Sequence, residues 1–212
     1  MKPTTSRPYR SPRRAEQARA TREAILVAAG RCFAERGYAG TTMQAIATAA
    51  EVAVESVYGL APKAQLLKLA FERALAGDDE PVALAARDGW LSAVALDDQR
   101  AMIAEMARYG APLLLRGAPL ARAFLEAASG DEKLGEHWRQ LEDDRLTDSR
   151  RFVAAVASRG PLRPGVTQES GAIAVWATHN WFSVLCLIDR IGTDEQAHSR
   201  WQADILEALL LR

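Results

Sequence analysis

The chain has 212 residues, of which 49% are hydrophobic, with equal numbers of Lys+Arg and Asp+Glu, 27 of each. That excludes a wholly disordered chain and leaves room for one large or two small packed domains. The charge is unevenly spread: residues 1–73 hold 12 basic against 6 acidic side chains, a net of +6, and residues 74–212 hold 15 against 21, a net of −6. A basic first third facing nucleic acid and an acidic remainder fit this split.

Residues 1–15 carry Pro3, Pro8 and Pro12 among Lys2, Arg7, Arg10, Arg13 and Arg14. They are expected to form a disordered basic tail that either tracks phosphates or stays solvated. They lack the apolar core of a secretory signal. A helix is predicted over residues 16–36, with Ile25, Ala28, Ala29, Cys32 and Phe33 on its apolar face and Gly37 as its stop. Thr41 or Thr42 is placed to cap a second helix, whose buried stripe is Met43, Ile46, Ala47 and Ala50. A third short helix is expected over residues 53–59, with Val54 and Val57 packing inward. A fourth starts at Pro62, with Leu66, Leu67, Ala70, Phe71 and Ala74 inside. Two short helices joined by a tight turn form a helix-turn-helix, whose second helix enters the DNA major groove.

The run Gly77-Asp78-Asp79-Glu80-Pro81 is read as a hinge. Beyond it the pattern stays helical, with candidates at 82–94, 98–115, 118–129, 131–159, 167–190 and 194–211, separated by glycine, proline and Asp-Asp breaks. No alternating run supports a sheet. The expected fold is therefore all-α, about nine helices, in three parts: the tail 1–15, a helix-turn-helix domain 16–76 and a helical ligand-binding and dimerisation domain 77–212. Cys32 and Cys186 sit in separate apolar patterns, so a reducing, cytoplasmic setting without a disulfide is expected. No membrane span, metal site or cofactor is expected; His137, His179 and His198 are scattered. Neither a nucleophile elbow nor a phosphate loop is present, so the chain does not read as an enzyme.

The series Gly37-Tyr38, Thr41-Thr42, Ile46-Ala47, Ala49-Ala50, Val52, Val57-Tyr58, Lys63 and Leu66-Leu67 resembles the DNA-binding domain of the TetR/AcrR family of bacterial transcriptional regulators. The resemblance covers about a quarter of the chain. Three departures stand out. Glu51 lies where the family usually has glycine, Ala53 where it often has a capping serine, and the stretch before Lys63 is one residue shorter. The resemblance implies a cytoplasmic homodimeric repressor that binds a palindromic operator in double-stranded DNA and is released by a small effector held in a helical cage. It also places Tyr58 and Lys63 on phosphates and the last two helices at the dimer interface.

From the residue types, Thr41 and Thr42 at a helix start suit a phosphate, and Arg22 adds a backbone contact. Gln44, Glu55, Ser56 and Val54 are the candidates for base edges. Tyr58 is alternatively a half-buried packing residue, and Lys63 a solvated cap. Met102, Met106, Tyr109, Leu113, Phe124, Trp138 and Trp176 are candidates to line an apolar pocket, or else ordinary core. Ile173, Ala177, Asn180, Trp181, Val184, Ile188, Trp201, Ile205 and Leu209 are the candidates for joining two subunits, or for intrachain packing. The competing reading is a helical protein-interaction module whose DNA-binding head is weakened or lost.

Overall fold

The computed structural model describes residues 12–77 and 83–211. Within them the chain is all-helical: α1 (Pro12–Gly40), α2 (Met43–Ala49), α3 (Val54–Leu60), α4 (Lys63–Ala76), α5 (Asp88–Val94), α6 (Gln99–Ala128), α7 (Glu132–Arg159), α8 (Gln168–Thr178), α9 (Trp181–Ile191) and α10 (Glu195–Leu210), with a 3-10 turn at Leu84–Ala86. Residues 1–11 of the expected tail, and Asp78 to Pro81 of the expected hinge, lie outside the described residues. The last four residues assigned to the tail, 12–15, are instead the first turn of α1.

Gly37 breaks the first helix where the pattern placed its stop, and a last helical piece runs on to Gly40. The Gly37 φ of 68° and ψ of −178° break the helical path, a conformation that costs a side-chain-bearing residue far more than glycine. Thr42 caps α2, its hydroxyl accepting the Ala45 N–H. Pro62 precedes α4 as its cap residue, so the helix proper starts one residue later than expected.

Residues 98–129 differ more. Two helices were expected there, broken near Gly117; a single 30-residue helix runs through Pro112, Gly117 and Pro119. Tertiary packing overrides the local breakers. A Cβ on Gly117 would lie 2.7 Å from Leu75 Cδ2 and 2.8 Å from Trp181 Cζ3, so the glycine lets α4 and α9 close onto α6. Residues 167–190 differ in the opposite sense. The expected single helix is α8 and α9, bent by 52°, because Asn180 leaves the helical path and its side-chain oxygen caps Phe182 and Ser183.

One hydrophobic core joins α1 and α4 to α6, α7 and α9, around Phe33, Phe71, Phe124 and Trp181. A second lies between α5, α6, α7, α8 and α10, around Met102, Ile103, Phe152, Val153 and Leu206. The first crosses the boundary expected at residues 76/77, so head and body share packed side chains. No single described helix is long and apolar enough to cross a membrane.

Candidate nucleic-acid interface and internal cavity

The head is built outward from α1. Ile25, Leu26, Ala29 and Phe33 are buried against Ile46, Ala47, Val57 and Leu66, which fixes α2 and α3 and turns their remaining faces to solvent. Thr42, Gln44, Glu55, Ser56 and Tyr58 are all exposed; Tyr58 is 64% exposed, so its ring is not a packing residue. Lys63 Nζ sits 4.4 Å from the centre of the Tyr38 ring, a cation–π contact that directs a half-buried lysine instead of leaving it as a solvated cap. Arg22 is partly buried and shares a shallow groove with Arg14, Gln17, Thr21, Ile25 and Leu60, next to the end of α3.

Two expectations fail here. Thr41 is 1% exposed. Its hydroxyl lies 2.9 Å from the Cys32 carbonyl and 2.8 Å from that of Gly37, so it ties the end of α1 and offers nothing to a phosphate. Val54 is partly buried and packs against the core, which leaves little of it for a thymine methyl. Arg14, expected in the tail, lies instead on α1, two helical turns before Arg22 in the same groove.

The turn between α2 and α3 carries the cost of its unusual sequence. Glu51 has φ 55°, alone among described non-glycine residues in being positive. Ala53, at the N-terminus of α3, makes no side-chain cap. The helix-turn-helix forms nonetheless, with Val52 N–H bonded to the Ala47 carbonyl at 3.1 Å.

A cavity of about 150 Å³ opens inside the body between the 3-10 turn and α5, α6, α7, α8, α9 and α10. Its wall includes Leu84, Trp90, Met106, Tyr109, Leu113, Leu114, Phe152, Val175 and Leu206, with Arg145, Asp148, Ser149, His179, Trp181 and Gln202 as polar members. Met106, Tyr109 and Leu113 were expected there. Met102 is instead fully buried in the second core. Phe124 and Trp138 stack with Phe71 in the first. Trp176 donates its indole N–H to Glu142 at 3.0 Å. These four have structural partners and do not line the cavity.

Arg145 Nη2 donates to the carbonyls of Trp176 (3.1 Å) and His179 (2.6 Å), and Nη1 to Glu142 at 2.5 Å. Burial lowers its pKa, opposed by Glu142. Burial raises the Asp148 pKa, opposed by Arg151. Burial holds His179 neutral down to about pH 4, opposed by a hydrogen bond to the Gln202 backbone, with Arg145 adding a smaller effect in the direction of burial. Arg145, Asp148, Ser149 and Phe152 fall at i, i+3, i+4 and i+7, one inward face of α7. That spacing was legible, but polar residues on a helix read first as solvent-facing.

Residues 25–67 match the model of the bacterial regulatory proteins of the tetR family. Residues 25–67 are therefore a DNA-binding domain of the tetR type. No curated protein matches it. Among solved structures, a transcriptional regulator of Saccharomonospora viridis in complex with choline is 16% identical over 93% of this chain and 99% of its own, with a TM-score of 0.67. NalD of Pseudomonas aeruginosa is 20% identical over 93% and 98%, TM-score 0.64. A TetR-family regulator of Mesorhizobium loti is 22% identical over 91% and 95%, TM-score 0.59. At these identities the likeness establishes the fold.

The residues expected to join subunits divide in two. Trp181 and Val184 are 3% and 1% exposed and belong to the first core, and Ile188 packs partly against it. Their burial within one chain removes Trp181 and Val184 from any interface. Asn180 caps α9, and Leu209 packs against the second core. Ile173 and Ala177 on α8 face solvent, and Trp201 and Ile205 on α10 are partly exposed. Phe182, 40% exposed, was missed; the bend at Asn180 rotates α9 and brings it to the surface.

Proposed function

We propose that the chain is a TetR-family regulator, a homodimeric, sequence-specific repressor whose hold on a palindromic operator is released by a small apolar or amphipathic molecule. The observation that carries the reading is the pairing of a formed helix-turn-helix, with Thr42, Gln44, Glu55, Ser56 and Tyr58 exposed, with a lined cavity in the body. NalD is described as a repressor of a multidrug efflux pump, and the S. viridis regulator holds choline; both are in keeping with it. Thr42, Tyr58, Lys63 and Arg22 would hold phosphates, and Gln44, Glu55 and Ser56 would meet base edges. Residues 16–76 act as the head and 77–212 as the ligand-binding and dimerising body. Ile173, Ala177, Phe182, Trp201 and Ile205 form the apolar face that a second copy covers. Dimerisation sets two α3 helices about 34–36 Å apart, one turn of DNA.

Release follows from linkage. A ligand that favours a head spacing unsuited to DNA lowers DNA affinity, and DNA lowers ligand affinity by the same factor. The test is fluorescence anisotropy with DNA flanking the protein's own gene against a scrambled duplex, across a salt series. Preference for the flanking DNA, steep weakening with salt, and uniform loss in Lys63→Ala are expected. Equal weak binding to both duplexes and to a genome-wide fragment pool would replace this reading with that of a protein-interaction module.

A further inference from the structure

We infer that Tyr109 and Arg87 are positioning residues for the head: Tyr109, on the cavity wall, holds the turn Leu84–Ala86, and Arg87, at the end of that turn, holds the C-terminal end of α4. The inference deepens the proposed release by naming its path, and its link to DNA rests on that reading. The last carbonyls of a helix have no partner within it, and cations are favoured beside them. At the end of α4 two arginines of the body make that contact. Arg116 on α6 donates from Nε to the Ala74 carbonyl at 2.9 Å, and Arg87 from Nη1 to the Ala76 carbonyl at 3.4 Å. The same helix begins at Lys63, a proposed phosphate contact, so what sets its far end bears on the DNA-facing end.

One carbonyl joins Arg87 to the cavity. The Leu84 oxygen accepts the backbone N–H of Arg87 at 3.2 Å and the hydroxyl of Tyr109, also at 3.2 Å. Leu84 and Tyr109 both line the cavity. Burial raises the Tyr109 pKa, so the hydroxyl keeps its proton and stays a donor. The ring is also tightly placed. A Cβ on Gly89 would lie 2.3 Å from Tyr109 Cδ2 and 2.6 Å from Cε2, so the missing side chain lets the start of α5 close against the ring.

Tyr109 thus belongs to the cavity and to the turn at once. A molecule that pushes its ring aside frees the Leu84 carbonyl, shifts Arg87 with it and loosens the hold on Ala76. Arg116 reaches α4 from α6 without passing through the turn. It is a second, independent hold, and it separates a general loosening of α4 from one carried by Tyr109.

The experiment is amide hydrogen exchange of the full chain without DNA, followed by titration with the DNA flanking its gene. Tyr109→Phe removes one oxygen and keeps the ring. Arg87→Met removes the other end of the link, and Gly89→Ala wedges the ring aside with no ligand present. Each is expected to speed exchange over residues 73–77 by about threefold to tenfold, the effect of losing one hydrogen bond. Residues 150–156 of α7, where Phe152 also lines the cavity, are expected to stay unchanged. Tyr109→Phe combined with Arg87→Met should match the larger single effect, whereas Arg116→Met should multiply with either. DNA affinity should fall in the same pattern. Unchanged exchange at 73–77 in Tyr109→Phe or Gly89→Ala, equal speeding in α7, or multiplying effects of Tyr109→Phe and Arg87→Met overturns the inference. Faster exchange with unchanged DNA affinity upholds the hold on α4 and overturns its link to DNA. A wild-type chain with no preference for the flanking DNA overturns the release reading instead, and the exchange result still decides the hold on α4.

Discussion

Glu126 on α6 holds the end of α1: its carboxylate accepts the backbone N–H of Tyr38 at 3.0 Å and of Ala39 at 2.9 Å. Gly37 makes the approach possible, because a Cβ there would lie 2.7 Å from Glu126 Oε2. The body thus grips the head directly before the helix-turn-helix, beside the Tyr38 ring under Lys63.

The hydrogen bonds from Ala39 and Tyr38 hold the Glu126 carboxyl below its ordinary pKa of 4.5. A lowered folded pKa stabilises the chain above the unfolded value, and that stability is lost as pH falls through the folded value. Glu126→Gln should weaken the grip, reduce DNA affinity and flatten the acid limb of stability below about pH 4.5. Gly37→Ala should cost about 1–2 kcal/mol from its positive φ alone. Urea unfolding across pH, with DNA titrations of both variants, checks this; unchanged DNA affinity in both would show that the contact is not a coupling element.

Glu51→Gly should stabilise the head by about 1 kcal/mol, since glycine accepts the φ of 55° without strain. Ala53→Ser should add about 1 kcal/mol by capping α3, because residue 53, just before the helix, has the extended backbone a cap needs. Thermal melts of the single and double variants measure both effects. A gain in stability accompanied by tighter DNA binding would mean that the natural turn limits affinity.

Trp181 and Ile173 should separate packing from assembly. Trp181→Ala empties a site that touches α4 and α6 and should cost about 3–5 kcal/mol at any protein concentration. Ile173→Glu, at a position 47% exposed, should leave the melting of the isolated chain within about 0.5 kcal/mol yet shift the protein to monomer in analytical ultracentrifugation. A dimer that survives Ile173→Glu would place the interface elsewhere.

His179 should give the body an acid sensitivity. Its pKa falls from an ordinary 6.5 to about 4 on folding, through burial. Between those values the unfolded chain binds the extra proton, so stability should fall as pH drops from about 6.5 to 4 and level below. The total is on the order of 3 kcal/mol. His179→Gln should remove that slope in denaturant titrations while leaving the Glu126 contribution at lower pH.

The sequence by itself determined the helical class, the caps and the head. Met43, Ile46, Ala47, Leu66 and Phe71 repeat at helical spacing, and Gly37 and Thr42 act on their immediate neighbours, so local physics was enough. Only the tertiary structure decided the rest. Gly117 and Pro119 look like breaks until α4 and α9 are seen packed on α6. Trp181 looks like an interface residue until the bend at Asn180 turns it inward. His179 at the α8–α9 bend, Gln202 on α10 and Arg145 on α7 come to line one cavity only when those elements pack, because a cavity is a property of side chains brought together from distant segments.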